Sequence, residues 1–368
     1  MARVVEQHQK KPLADAVLFG SPKAPRWGQI QGMALPLQSW LGSSTHSVKR
    51  GLVMRLKYEV EADWALLNTC NFRCDYCFLD PDLRGAQIAT HGTPNQWVEG
   101  FQATGKTWLL HITGGEPTIY PGFVALCEQL SRRHYLSINS NLSHPCIDVF
   151  AERIDPARVH DINAAVHFDE RNIKASLDVF IERVRRLQAR QFNVLVSMVM
   201  TPRMVCLFQE IANDFESRGL FLIPKVMREM YQGNRYPAAY SADQRAIISH
   251  YLAKAQEKYA QVMARMGEPA TIDMLADHRF LDGIGDYRGK RCGSGYNFVR
   301  IDPDGTVVRC GSSRRLGNIL LKNLKLLPTP MECDTSYCPY FCEKYTSQRF
   351  VQMREGAIRS YLSTLFRH

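Results

Sequence analysis

The chain has 368 residues, of which 45% are hydrophobic and 22% charged, the composition of a globular protein with a substantial core. No stretch approaches the roughly 18 to 20 apolar residues of a membrane helix, and no apolar signal-peptide core follows the polar N-terminus, so we expect a cytoplasmic protein with no membrane partner. The formal net charge of +10 permits a nucleic-acid partner, but no nucleic-acid-binding motif supports one. We therefore expect the basic residues to lie on solvated helix faces.

The middle of the chain alternates short apolar runs with longer amphipathic segments. The predicted strands are Trp64–Asn68, Trp108–Thr113, Tyr135–Asn139, Ala164–Phe168, Val194–Met200 and Leu220–Val226. The predicted helices are Asn95–Ala103, Phe123–Arg133, Asp148–Arg153, Ile173–Arg190 and Met204–Ser217. Strands that alternate with helices indicate a parallel sheet with right-handed crossovers, and six such units fit a partial (β/α)6 TIM-like barrel of the α/β class. Periodicity alone leaves an open doubly wound sheet as the alternative.

Changes of pattern divide the chain into three parts. Residues 1–60 lack a clear period and form a lead-in segment, residues 61–275 form the barrel, and residues 276–368 form a small cysteine-rich extension of β-hairpin and helix. A long helix is predicted at Ala242–Met266, and a closing amphipathic helix at Ser347–Phe366.

The cysteines carry the strongest indication of chemistry. Eleven cysteines, mostly in two clusters of a long chain without a signal peptide, favour metal binding over disulfides. Cys70, Cys74 and Cys77 are spaced C-x3-C-x2-C, and soft thiolates on one loop suit zinc or an iron–sulfur cluster. Structural zinc usually has four closed ligands, whereas the next cysteine here is Cys127, in a predicted helix. Three thiolates would leave one coordination position open for chemistry.

A second motif lies one strand–helix unit later, where His111–Thr118 reads H-I-T-G-G-E-P-T. The two motifs, in this order and at this spacing, resemble those of the radical S-adenosylmethionine (SAM) superfamily. The resemblance implies that Cys70, Cys74 and Cys77 hold three irons of a 4Fe–4S cluster and that SAM chelates the fourth iron. It also places Tyr76, the aromatic residue before the last cysteine, at the cofactor site.

The G-G-E-P segment suits a ligand on physical grounds as well. Gly114 and Gly115 let the backbone approach a ligand without Cβ interference, and Glu116 offers a carboxylate to an ammonium group. The resemblance assigns this segment, with Pro117, to the amino group of SAM.

Two later strand ends resemble SAM-contacting segments of the superfamily. The third predicted strand runs into S-I-N-S-N-L, which implies contacts from Ser140 and Asn141; a polar strand end that caps the next helix is the alternative. The fourth runs into V-H-F-D, in which His167 or Asp169 would face the SAM ribose or the substrate. A hydrogen-bonded core histidine is the alternative there.

The second cysteine cluster lies around a predicted hairpin. Cys292 and Cys310 flank two β-like runs joined by D-P-D-G, a tight-turn signal, and Cys333, Cys338 and Cys342 follow. A zinc knuckle is one interpretation, but the arrangement resembles the shorter, twitch form of the SPASM extension that follows many radical SAM barrels. That resemblance implies one auxiliary 4Fe–4S cluster across the barrel mouth, held by Cys292, Cys310 and Cys342 with Cys338, or alternatively Cys333, as fourth ligand. We expect the three remaining cysteines to be small core residues: Cys127, Cys146 and Cys206.

The resemblance implies an oxidoreductase activity. One electron, from a donor such as flavodoxin or ferredoxin, would cleave SAM to a 5′-deoxyadenosyl radical that abstracts a substrate hydrogen, and an auxiliary cluster that accepts the next electron implies net oxidation. The short N-terminal region favours a small polar metabolite or natural-product intermediate, with a peptide substrate as the alternative. Lys225, Arg228 and Glu229 are candidate substrate contacts, and together with Arg314 and Arg315 they would favour an anionic substrate group. A non-catalytic, zinc-stapled nucleic-acid-binding protein is the alternative from another class, and it leaves G-G-E-P without a role.

Overall fold

The computed structural model describes residues 57–85, 88–228, 230–266, 274–281, 286–310, 314–335 and 338. The predicted lead-in therefore lies almost entirely outside the described residues, and the predicted closing helix at Ser347–Phe366 lies entirely outside them.

A nine-stranded sheet forms the centre of the described structure. Six of its strands follow one another along the chain: β1 (Val60–Leu67), β2 (Trp108–Gly114), β3 (Tyr135–Ser140), β4 (Val159–Ala165), β5 (Val194–Val199) and β6 (Leu222–Lys225). Seven shorter strands follow: β7 (Met230–Tyr231), β8 (Asn234–Arg235), β9 (Arg291–Cys292), β10 (Phe298–Ile301), β11 (Thr306–Val308), β12 (Arg315–Asn318) and β13 (Met331–Glu332). The order in the main sheet is β12-β11-β10-β1-β2-β3-β4-β5-β6, while β7–β8 and β9–β13 form two separate pairs.

Helices connect the parallel strands in the regular β–α alternation. They are α1 (Pro94–Ala103), α2 (Phe123–Ser131), α3 (Cys146–Arg153), α4 (Phe168–Ile173), α5 (Leu177–Ala189), α6 (Pro202–Ser217), α7 (Ala242–Lys258) and α8 (Ala260–Met266). None of the described helices is both long enough and apolar enough to cross a membrane.

The two faces of the parallel strands differ in chemistry because successive side chains point to opposite sides. On the apolar face, Trp64 of β1 packs against Trp97 and Phe101 of α1, with ring centroids 4.7 and 5.0 Å apart. Aromatic pairs in such tilted or edge-on geometry contribute about 1 kcal/mol beyond their buried area. The intervening residues, such as Asp63 and His111, point to the other face, which is polar.

The predicted fold class is confirmed: β1 to β6 are parallel, alternate with helices and occur in chain order. The sheet is not a closed barrel, because β6 and β12 remain its two edges. It is therefore an open, partial TIM-like arrangement.

Four predicted boundaries are wrong. The first strand was expected at Trp64–Asn68 but is β1, Val60–Leu67, because Glu61 and Asp63 interrupt its apolar pattern. The fourth strand was expected at Ala164–Phe168 but is β4, Val159–Ala165, because its polar residues on the inner face hide the strand from a search for apolar runs. The helix expected at Ile173–Arg190 is split into α4 and α5 by Ala175, whose φ is +45°. The long helix expected at Ala242–Met266 breaks at Tyr259.

The C-terminal hairpin continues the same sheet. β10 pairs in parallel with β1, and β11 and β12 are added antiparallel beyond it. Lys322, after β12, forms an ion pair of 2.8 Å with Glu99 of α1. The division of the chain at residues 275 and 276 stays a prediction.

Candidate active site

The loop with the first three cysteines follows β1 at the carboxyl edge of the sheet. Arg84 holds this loop: its guanidinium donates hydrogen bonds to the carbonyl oxygens of Cys74 (2.9 Å), Cys77 (2.6 Å) and Leu79 (2.8 Å). The N–H of Gly85 donates to the carbonyl of the first cysteine at 2.5 Å. One rigid, planar donor group thus fixes a loop that has no regular secondary structure of its own.

The three thiols are partly exposed and unbridged. The pKa of Cys70 and that of Cys74 are each raised to about 12, chiefly by burial, and acidic neighbours such as Glu170 add to the rise. Such thiols keep their protons until a positively charged group displaces them. Among the described residues, no three His, Cys, Asp or Glu side chains surround a position for a single metal ion.

Gly114 and Gly115, at the end of β2, lie directly against the backbone that leads into the cysteine loop. A Cβ on Gly114 would lie 2.2 Å from the carbonyl oxygen of Leu67, and one on Gly115 would lie 1.9 Å from that of Thr69. The N–H groups of Gly115 and Glu116 donate to the same two oxygens, at 2.8 and 3.0 Å. We expected the glycines to admit a ligand; the structure adds that they let two backbone segments touch.

Glu116 ties these segments to the end of β3. Its side chain is 1% exposed. Oε1 accepts hydrogen bonds from the N–H and hydroxyl of Thr118 (3.0 and 2.5 Å) and from the Ser140 hydroxyl (2.7 Å), while Oε2 accepts from the Asn141 N–H (2.6 Å). Burial raises the pKa of Glu116, and these donors act in the opposite direction. Pro117 begins the short turn that Glu116 caps.

Asn141 is bound on both sides. Its side chain donates to Asn71 in the cysteine loop at 3.0 Å. Its carbonyl accepts from the guanidinium of Arg171, a residue of α4 that is 1% exposed. The same guanidinium donates to the Val166 carbonyl at 2.7 Å and lies 4.2 Å from the centroid of the Phe180 ring. Arg171 therefore joins the ends of β3 and β4 to the helix layer.

His167 lies just beyond β4, with a left-handed φ of +48°. Its Nδ1 is 2.8 Å from the Tyr76 hydroxyl and 3.3 Å from the Cys74 sulfur. Burial lowers the pKa of His167 to about 3, and the nearby Arg171 adds to the fall, so the imidazole is neutral. The structure thus brings together two residues expected at the SAM site, His167 and Tyr76, beside a cysteine of the first loop.

The second cysteine group is buried around one aromatic ring. Four cysteines pack together with Phe298: Cys292, Cys310, Cys333 and Cys338. Arg309 encloses the group by donating to the carbonyl oxygens of Ser294 (2.9 Å) and Glu332 (2.7 Å). Burial raises the pKa of Cys292 to about 12, and the neighbouring thiols add to the rise. Cys333 and Cys338 both belong to the cluster, while Cys342 lies outside the described residues.

This second group lies at the amino edge of the sheet, not across its mouth as we expected. Phe298, at the start of β10, pairs with Glu61 near the start of β1, whereas Cys70 follows the end of β1. β11 runs antiparallel to β10 and so returns the chain to the edge where β10 begins. The length of β1, about 20 Å, therefore separates the two cysteine groups along the sheet.

Polar side chains cover the sheet between the two groups. In register across five neighbouring strands lie Arg300, Asp63, His111, Ser137 and Asp161, which we call the polar row. One level closer to the carboxyl edge, hydrogen bonds link Thr113 to Asn139 (3.3 Å), Asn139 to Asn163 (2.6 Å) and Asn163 to Ser197 (2.7 Å).

A cavity of about 610 Å³ opens beside Asp63 and Arg300, at one end of the polar row. Its walls include Phe78 and Leu79 of the cysteine loop, Gly114 of β2, and Asp63 and Arg300 of the polar row. This volume is in the range of small-molecule sites.

Residues 64–214, less than half of the chain, match the family model "Radical SAM superfamily". The chain carries a radical SAM domain. GTP 3′,8-cyclase of Haemophilus influenzae is 25% identical over 142 residues, which cover 33% of this chain and 42% of the cyclase. The 7-carboxy-7-deazaguanine synthase of Methanothermobacter thermautotrophicus is 28% identical over 148 residues, which cover 36% of this chain and 58% of the synthase. Each match thus spans less than two thirds of the relative's own length.

A crystal structure of SuiB from Streptococcus suis, bound to the precursor peptide SuiA, resembles the chain at a TM-score of 0.47 and 14% identity. The superposition covers 81% of this chain and 66% of SuiB. This likeness is too low to support an argument about function.

The residues expected to contact an anionic substrate do not lie together in the structure. Lys225 ends β6 on the polar face, and burial lowers its pKa. Arg228 lies over the Phe280 ring at 4.4 Å, and Arg315 donates to the Thr306 hydroxyl at 2.8 Å. Arg314 is exposed, and Glu229 lies outside the described residues. Asp169, which with His167 was a candidate to face the SAM ribose or the substrate, forms an ion pair with Arg203.

Of the three cysteines expected in the core of the radical SAM domain, Cys127 is buried as predicted. Cys146 is only partly buried, and its sulfur lies 3.1 Å from the Thr118 carbonyl. The expectation is wrong for Cys206, which is exposed on α6.

Several important residues around the site could not be recognised from the sequence. Arg84 and Arg171 look like ordinary surface cations in a sequence, because nothing local shows that their partners are backbone carbonyls. The polar row has a detectable signal: ionisable residues recur at every second position of β1, as Glu61 and Asp63 do. A search for apolar runs passes over this alternation.

Proposed function

We propose that the chain binds a 4Fe–4S cluster through Cys70, Cys74 and Cys77, binds SAM beside it, and uses the resulting 5′-deoxyadenosyl radical to abstract a hydrogen atom from a small polar molecule. The supporting observation is the loop of three partly exposed thiols, held by Arg84 and touching the glycine pair of β2. When bound, the cluster supplies the electron that cleaves SAM.

The residues present fit this group. Three soft sulfur donors lie on one loop, and all three are partly exposed, so a metal group can reach them. The glycine pair keeps side-chain atoms away from the loop.

We assign the walls of the SAM site to the segments that meet at this loop. Glu116, saturated by four internal hydrogen bonds, would set the backbone of Gly114, Gly115 and Pro117 rather than rely on its carboxylate alone. Ser140 and Asn141 would continue this wall, and Tyr76 with His167 would form the opposite one. A neutral imidazole suits a position beside a cationic sulfonium.

We further propose that the second cysteine group binds an auxiliary 4Fe–4S cluster, as in a twitch extension. The buried thiols of Cys292, Cys310, Cys333 and Cys338 lie in one cluster and would supply four sulfur donors, while Cys342 lies outside the described residues. Because the second cysteine group lies at the amino edge of the sheet, the polar row would lie between the two clusters. An acceptor there would make the overall reaction an oxidation, with flavodoxin or ferredoxin as external electron donor.

The matching relatives are named for small molecules, GTP and a deazaguanine, which favours a small polar substrate over a peptide. The cavity of about 610 Å³ agrees with that size. A peptide substrate remains the alternative that the sequence leaves open.

The test is anoxic reconstitution followed by incubation with SAM, a reductant and a panel of C-deuterated cyclitols, sugars and hydroxy acids. We expect a brown protein with about eight irons per chain and deuterated 5′-deoxyadenosine from at least one compound. Deuterium transfer from deuterated peptides alone would replace the small-molecule proposal by the peptide one. A colourless protein with bound zinc would support the non-catalytic, nucleic-acid-binding alternative.

A further inference from the structure

Asp63 stands apart from the other acids of the cavity. It lies near the middle of β1, in register with Arg300 of β10 on one side and His111 of β2 on the other. Its carboxylate lines the cavity of about 610 Å³. Asp63 is half-buried, and within the part of the chain that the structure describes its carboxylate makes no hydrogen bond and no ion pair.

The neighbouring acids are already engaged. Asp302, at the cavity wall, pairs with Arg300 at 3.1 Å. Asp304 accepts hydrogen bonds from the N–H and the hydroxyl of Thr306 at 2.8 and 3.0 Å, and so serves the hairpin turn. Among the described carboxylates of the cavity, Asp63 is therefore the one available to bind a ligand.

The electrostatic surroundings suit a group that exchanges a proton. Burial raises the pKa of Asp63, and Asp302 acts in the same direction; the opposing charges come from His111, Arg300 and Lys225. A carboxyl group whose proton affinity is raised in this way is a better base than an exposed aspartate.

The cavity also connects Asp63 with the cysteine loop. Its walls join Asp63 to Phe78 and Leu79, which directly follow the last cysteine of the first loop, and to Gly114 of the glycine pair. A molecule that fills this space touches the carboxylate on one side and the proposed SAM site on the other.

We propose that Asp63 is the catalytic residue that contacts the substrate and accepts its proton during oxidation. This inference rests on the proposed function. The substrate class is a small molecule with a hydroxyl group on the carbon that is oxidised. Asp63 would accept the hydroxyl proton after that carbon has given its hydrogen atom to the 5′-deoxyadenosyl radical, and the remaining electron would pass to a one-electron acceptor, a bound iron–sulfur cluster. The carbon–oxygen single bond becomes a double bond.

The matched pair of variants is Asp63→Asn and Asp214→Asn, an exposed aspartate of α6 that does not line the cavity, both in the full-length reconstituted protein. With the panel compound that gives deuterated 5′-deoxyadenosine, Asp63→Asn keeps deuterium transfer but forms oxidised product roughly a hundredfold more slowly, the usual contribution of a general base. Asp214→Asn forms product at close to the wild-type rate. Product formation by Asp63→Asn at the wild-type rate overturns the proposal, whereas a wild-type protein that transfers no deuterium contradicts the proposed function instead.

A second measurement needs no substrate. Because the folded-state pKa of Asp63 is raised above 3.8, its ionisation destabilises the fold as the pH rises from 3.8 through the folded value. Asparagine lacks this ionisation, so Asp63→Asn melts at a higher temperature than the wild type at pH 7, and the gain shrinks towards pH 4. An aspartate kept for structure would give the reverse, and a lower melting temperature at pH 7 overturns the proposal.

Discussion

The contact between Gly115 and the cysteine loop gives the sharpest structural prediction, for the substitution Gly115→Ala. The new Cβ would lie 1.9 Å from the carbonyl oxygen of Thr69, 2.4 Å from its carbonyl carbon and 3.0 Å from the nitrogen of Cys70. All three are backbone atoms, so no flexible side chain can move aside. Since non-bonded heavy atoms settle near 3.5 Å, the two segments must separate by more than 1 Å.

That separation breaks the hydrogen bonds from Gly115 and Glu116 to Leu67 and Thr69. Two lost bonds at about 1 kcal/mol each, together with an overpacking cost of about 1 to 3 kcal/mol, predict a loss of about 3 to 5 kcal/mol in the free energy of unfolding. The displacement also moves Cys70, so we expect less iron at the first loop.

The assay is iron and sulfide content after anoxic reconstitution, together with denaturant unfolding. The control is Gly219→Ala, at a glycine with a φ of +75° where an added Cβ would meet no atom within 4 Å. It should lose only about 1 to 2 kcal/mol from the left-handed conformation and keep its iron. If Gly115→Ala binds as much iron as the control and loses no more stability, the contact does not position the loop.

Three further predictions concern Arg84, Arg171 and Cys333. Arg84→Lys keeps the charge but cannot span three carbonyl oxygens, so iron content should fall after brief chelator treatment. Unchanged iron content would show that Arg84 does not hold the cysteine loop. Arg171→Gln leaves two buried carbonyls without their donor and should lower the free energy of unfolding by about 3 kcal/mol in a urea titration; a loss below about 1 kcal/mol would contradict this. Cys333→Ala should remove about half of the iron while SAM cleavage continues, whereas the buried Cys127→Ala keeps all of it; full iron in Cys333→Ala would exclude this ligand.

The sequence was sufficient for the order of the elements and for the loops that carry chemistry. Repeated β–α alternation predicts parallel strands in chain order, and parallel strands place their carboxyl ends at one edge. For this reason the C-x3-C-x2-C loop and the G-G-E-P segment, which follow β1 and β2, had to be neighbours. The backbone of Gly115 does lie directly against that of Thr69, as this prediction requires.

What escaped prediction depends on contacts distant in sequence. The pairing of β10 with β1 joins residues more than two hundred positions apart, and no local pattern encodes it. This pairing turns the cysteine-rich hairpin into part of the main sheet, carries Phe298 and its four cysteines to the amino edge, and brings Arg300 beside Asp63. The polar row was missed for a related reason, because a polar inner face makes strands such as β4 look like loops.

The most direct test of the account is the release of 5′-deoxyadenosine from SAM by the reduced, anoxically reconstituted protein, compared with Cys74→Ala and with Cys127→Ala. We predict release by the wild type and by Cys127→Ala, and none by Cys74→Ala. Release that is undetectable in the iron-loaded wild type, or undiminished in Cys74→Ala, would contradict the assignment of the first cysteine loop.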